Sequence, residues 1–145
     1  MRCVNRSVCF VAMLGTNLAY SGAGPALAFD MPHGGCRLFI DSDGSATLAY
    51  AAMPGFVHVR PGTFDVRKVR KAFRSKVTPA SRMESLSRPI GSVFFHRNGG
   101  EVKWWFNDAH LATGLLKRAW AKRLPAATDG DEEHALFLAK ACRLD

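Results

Sequence analysis

The sequence predicts a small α+β fold, an antiparallel sheet of about five strands in two hairpin units with two to three helices in the order βββαββαα. Three observations predict it. Two turn signals, Asp43-Gly44 and Asn98-Gly99-Gly100, sit between alternating apolar runs, the pattern of β-hairpins. After Pro61-Gly62 the apolar period changes from that of a strand to that of a helix. Beyond Phe106 two further segments carry capping and helical signals, so strands and helices come in runs. That grouping argues against a doubly wound parallel sheet.

The chain opens on a different kind of segment. Arg2 and Arg6 form a positive start, Val8 to Leu14 is apolar, and Ala26-Leu27-Ala28 closes the stretch with an A-x-A pattern. This is the grammar of a secretory leader, with cleavage expected before Phe29. Thr16, Asn17 and the Gly/Ser residues behind them leave the run well short of the roughly 20 apolar residues a spanning helix needs. Residues 1–28 are therefore read as a signal peptide and 29–145 as one mature domain, a size that buries a modest core alone. The expected location is periplasmic or secreted.

Removing the leader takes Cys3 and Cys9 with it and leaves Cys36 and Cys142. In an oxidising compartment these have one intramolecular pairing. The leader also removes two of the 20 basic residues and none of the 12 acids, so the net charge falls from +8 to 18 less 12, or +6. Between Arg60 and Arg88 nine basic residues face only Asp65 and Glu84. An excess of that kind favours an anionic partner, whether polymer, lipid head group or acidic protein.

Within the mature segment the first strand is expected at Arg37 to Asp41, the second at Ala46 to Ala52 and the third at Phe56 to Arg60, after a Met53-Pro54-Gly55 break. Thr63 is the expected N-cap of a helix over 64–77, in which Val66, Val69, Phe73 and Val77 share one face. Arg67, Lys68, Lys71 and Arg74 leave the opposite side and Arg70 the flank, making the helix basic and amphipathic. Residues 78–91, with Pro79 and Pro89, read as a loop. In the second hairpin a two-residue turn puts Val93, Phe95, Val102, Trp104 and Phe106 on one face and Phe94, His96, Glu101, Lys103 and Trp105 on the other.

Asn107 or Asp108 caps a helix over 109–123 whose buried face holds Leu111, Leu115, Leu116, Ala119 and Trp120. The last helix starts at Asp131, Glu132 and Glu133 and ends near Lys140 and Arg143, the charge order its dipole prefers. Leu138 and Cys142 share a face there, so a disulfide would pin this helix to the first strand.

Motifs for chemistry are few. Asp41 to Ser45 has the acids of a calcium loop but lacks Gly at the sixth position and Glu at the twelfth, so a plain turn is expected. The five histidines, at 33, 58, 96, 110 and 134, lack metal-site spacing, and no metal or other cofactor is expected. No nucleophile elbow, phosphate loop or zinc-protease motif occurs. The best expectation is a non-enzymatic exported binding protein of inhibitor, immunity or envelope-accessory type. It would use Arg67, Lys68, Lys71 and Arg74 with Phe94, Lys103 and Trp105. The alternative is a small secreted nuclease or other hydrolase, with His96 as acid/base, Glu101 orienting it, and Arg88 or Arg97 stabilising phosphate charge.

Overall fold

The computed structural model describes residues 25–31, 35–51, 55–75, 77–78, 91–97 and 100–145. Residues 1–24, the Met53-Pro54 part of the expected break, the Asn98-Gly99 part of the expected turn and residues 79–90 of the expected loop lie outside that set. Described strands are β1 (Leu27–Met31), β2 (Cys36–Ile40), β3 (Ala46–Tyr50), β4 (Phe56–Val59), β5 (Val77–Thr78), β6 (Gly91–Arg97) and β7 (Gly100–Phe106). The helices are α1 (Val66–Arg74), α2 (Ala109–Ala121) and α3 (Asp129–Cys142). All strands join one antiparallel sheet in the order β4-β3-β2-β1-β6-β7-β5.

The α+β class and the two hairpins agree with the sequence reading, and the strand number and order differ. β1 is an additional strand, and it is the central one. It pairs with β2 on one side, Phe29 opposite Leu38, and with β6 on the other, Phe29 opposite Val93. One strand thus joins the β2–β4 meander to the β6–β7 hairpin. Its first residues, Leu27 and Ala28, stand inside the stretch that reads as the end of a leader.

The β2–β3 turn shows why Asp43-Gly44 was a strong signal. Gly44 donates its N–H to the Asp41 carbonyl at 3.0 Å and takes a positive φ of 78°, the turn-plus-left-handed residue of a three-residue hairpin loop. A Cβ there would collide with the Phe64 carbonyl oxygen. Gly62 N–H to Asp43 and Phe64 N–H to Gly44, each 3.0 Å, dock the turn against the chain entering α1.

Two local expectations are corrected in α1. Its N-cap is Asp65, whose carboxylate accepts from the N–H groups of Arg67 and Lys68 at 3.0 and 3.1 Å. The Thr63 hydroxyl instead donates to the Arg60 carbonyl at 2.7 Å. The helix also stops at Arg74, and Val77 sits in β5 opposite Phe106. Pro79 biases Thr78 away from helical geometry, and two β-branched residues suit an edge strand better than a last helical turn.

All three helices pack on one side of the sheet. Val69 and Phe73 of α1, Ala112, Leu116 and Ala119 of α2, and Ala135, Leu138 and Ala139 of α3 join Leu27, Phe29, Leu38, Ile40, Leu48 and Val93 in one core. The deepest of it is aromatic. Phe73 stands 5.6 Å from Phe29 and 5.2 Å from Phe106, centroid to centroid, with tilted or edge-on rings, an arrangement worth about 0.5–1.5 kcal/mol per pair beyond burial. In α2 the buried line runs through Ala112, Leu116 and Ala119, with Leu111, Leu115 and Trp120 only half-buried beside it. The face is therefore rotated slightly from the expected one.

Asp108 caps α2, accepting from Leu111 N–H at 2.9 Å. Thr128 caps α3, which starts at Asp129 rather than Asp131; its hydroxyl accepts from the Asp131 N–H at 3.1 Å. Cys36 and Cys142 form the expected disulfide, with 5.8 Å between Cα atoms and a sequence separation of 106. It ties α3 to β2, the second strand of the fold. No helix of the described residues is long and apolar enough to cross a membrane.

A candidate binding face on the open side of the sheet

Strand alternation gives the sheet a second face, and no residue of that face enters the core. The registers align it into two rows. One runs His58, Thr47, Phe39, Ala28, Phe94 and Lys103; the next runs Phe56, Ala49, Arg37, Asp30, Ser92 and Trp105. Ala49 and Ser92 are short and lie buried between larger neighbours. Phe39, Phe94 and Trp105 remain half-exposed, and Arg37, His58 and Lys103 are exposed.

Lys103 organises one end of this face. Its Nζ lies 5.2 Å from the Phe94 ring centroid and 4.7 Å from that of Trp105, within cation–π range of both. At the centre, Arg37 reaches the Asp30 carboxylate at 3.3 Å across β1 and β2. A hollow of about 360 Å³ opens beside that pair, with Ala28, Asp30, Arg37, Phe39 and Phe94 among its lining residues. The combination is aromatic surface with two cations and one partly neutralising acid. It offers stacking area and hydrogen-bond donors in one place.

The sequence-predicted residues fall into separate groups. Phe94, Lys103 and Trp105 come together as expected from a two-residue turn, since Arg97 pairs with Gly100. Arg67, Lys68, Lys71 and Arg74 lie exposed on α1, which buries Val69 and Phe73 on the covered side of the sheet. The basic helix and the aromatic hairpin therefore belong to opposite layers. Arg70 is held apart from the other cations, its guanidinium donating to the Ala26 carbonyl at 2.8 Å. His96 and Glu101 are direct register partners across β6 and β7 and Arg97 follows on β6, whereas Arg88 lies outside the described residues.

Sequence reasoning missed Asp30, Arg37 and Phe39. A signal for two of them was present: once Leu38 and Ile40 are assigned inward, Arg37 and Phe39 must face outward. Asp30 was hidden because its strand was not recognised.

The acids of the β2–β3 turn serve the turn itself. Asp43 accepts from the Ser45 hydroxyl at 2.6 Å and its N–H at 2.8 Å, and these bonds hold its carboxyl below the ordinary value. Partial burial pushes Asp41 the other way. Among the described residues no group of three or more His, Cys, Asp or Glu side chains could hold a metal ion. Set against known proteins, the chain matches no family, no curated protein and no solved structure.

Proposed function

We propose that this is an exported, non-enzymatic binding protein of the inhibitor, immunity or envelope-accessory kind. It engages an anionic partner through the open face of the sheet. The observation that carries the reading is Lys103 set between the Phe94 and Trp105 rings on a face no described helix covers. Aromatic planes flanking a cation suit a partner that is both anionic and able to stack. The basic side of α1 lies in the other layer and supplies a second, separate contact, so one partner touching both is a macromolecule rather than a small anion.

The test is a pull-down from envelope extract with the wild-type protein, with Lys103→Met/Trp105→Ala and with Lys68→Gln/Lys71→Gln. A salt-sensitive partner held by the wild type and lost with the sheet-face variant supports the reading. Equal retention by the sheet-face variant, or no partner at all, sinks it.

A second reading, hydrolysis of a phosphodiester polymer, draws on the pairing of His96 with Glu101 across β6 and β7. A carboxylate residue paired in register with a histidine is the residue combination used for general acid/base work. Degradation of RNA or DNA by the purified protein, abolished by His96→Ala with the fold intact, would favour it over the binding reading.

A further inference from the structure

We infer that the leader is removed after Ala23, so that the exported chain begins at Gly24 and keeps β1 whole. This rests on the export reading proposed above and adds where the cut falls. Ser21 and Ala23 are small residues in the same small-x-small spacing as Ala26 and Ala28, so the sequence holds two candidate sites. The fold separates them.

A cut after Ala28 would remove Leu27 and Ala28 from the central strand. β1 would lose two of its five pairs with β2 and two of its four with β6. Leu27 has no solvent exposure and stands between Ile40 and Phe95, so its removal leaves an apolar void in the core. The new α-ammonium would sit on Phe29, within the central strand between β2 and β6. A charge placed at that point must be hydrated inside the sheet rather than beyond its end. Arg70 would also lose the Ala26 carbonyl that its guanidinium now meets at 2.8 Å.

A cut after Ala23 has none of these costs. Water adds across the Ala23–Gly24 amide under a leader peptidase, leaving a carboxylate on Ala23 and an ammonium on Gly24. That charge lies upstream of Pro25 and of every strand pairing. Cys36, Cys142 and the net charge of the product are the same for either cut, because residues 24–28 hold no charged side chain and no cysteine.

The experiment is the intact mass of the full chain exported in a Gram-negative host, taken from the periplasmic fraction. The expected product starts at Gly24. Any other start overturns the inference: Phe29 would leave the export reading standing, and an uncut Met1 would remove both. Two variants separate the sites. Ala26→Gln, which spoils the downstream site, is expected to leave processing after Ala23 unchanged, and Ala23→Phe is expected to abolish the Gly24 product. Processing lost in Ala26→Gln, or the Gly24 product persisting in Ala23→Phe, overturns the assignment.

Discussion

On its helical side the sheet presents Leu27, Phe29, Leu38, Ile40, Leu48 and Val93, all buried; on the other it presents Ala28, Asp30, Arg37, Phe39, Phe94 and Lys103. Strands β1 to β4, β6 and β7 contribute to both faces through the two-residue alternation of their side chains. The difference teaches that one set of backbone hydrogen bonds supports two unlike surfaces. Packing energy is concentrated on one side, and the side chains of the other are free of that constraint. Substitutions should therefore separate cleanly into those that unfold the protein and those that leave it folded and unable to bind.

The largest expected effect tests the covered face. Phe73→Ala should lower unfolding free energy by about 3–5 kcal/mol in urea titrations, because the ring is fully buried against Phe29 and Phe106. The matching truncation on the open face, Phe94→Ala, should cost about 1 kcal/mol or less. A cost for Phe94→Ala as large as that for Phe73→Ala would mean the open face is covered in solution. Next comes the disulfide. Cys36→Ser/Cys142→Ser should destabilise by about 2–5 kcal/mol, read as a lower melting temperature that added reductant no longer shifts.

Asp108→Ala should cost about 1 kcal/mol through loss of the α2 cap, measured by the same titration with partner binding unchanged. Lys103→Met should be nearly silent in stability and should weaken a polyanion titration followed by tryptophan fluorescence by about tenfold or more. A stability loss without a binding loss would assign Lys103 to the fold instead.

The smallest effect is in acid. The N–H of Lys68 is the main cause holding the Asp65 carboxyl below its ordinary value. A carboxyl so lowered contributes stability above its unfolded pKa, and that contribution is lost as pH falls through the lower, folded value. Asp65→Asn should flatten the acid limb of the stability–pH profile below about pH 4; an unchanged limb would show that the cap does not act through charge.

Much of this architecture is legible in the sequence where local chemistry and tertiary demand coincide. Asp43-Gly44 marks its hairpin because the left-handed turn and the approach of Phe64 both require glycine, and alternation places Phe94, Lys103 and Trp105 together. β1 is not legible because Leu27 and Ala28 belong equally well to a small-residue cleavage pattern. Val77 has the right spacing for the helix that precedes it, and only the partner strand ending at Phe106 shows where it goes. The open face was half legible for the same reason: hairpin register can be read locally, whereas Asp30 opposite Arg37 depends on a strand with no turn signal of its own.

The central position of β1 also sets the order in which the fold can be completed. Its contacts with β2 close a short loop, but those with β6 must wait until a segment more than 60 residues later is available. Contacts so distant in sequence slow folding, because loop closure precedes any gain from pairing. The first of the described strands in sequence therefore gains its full set of partners only once the segment of β6 is present.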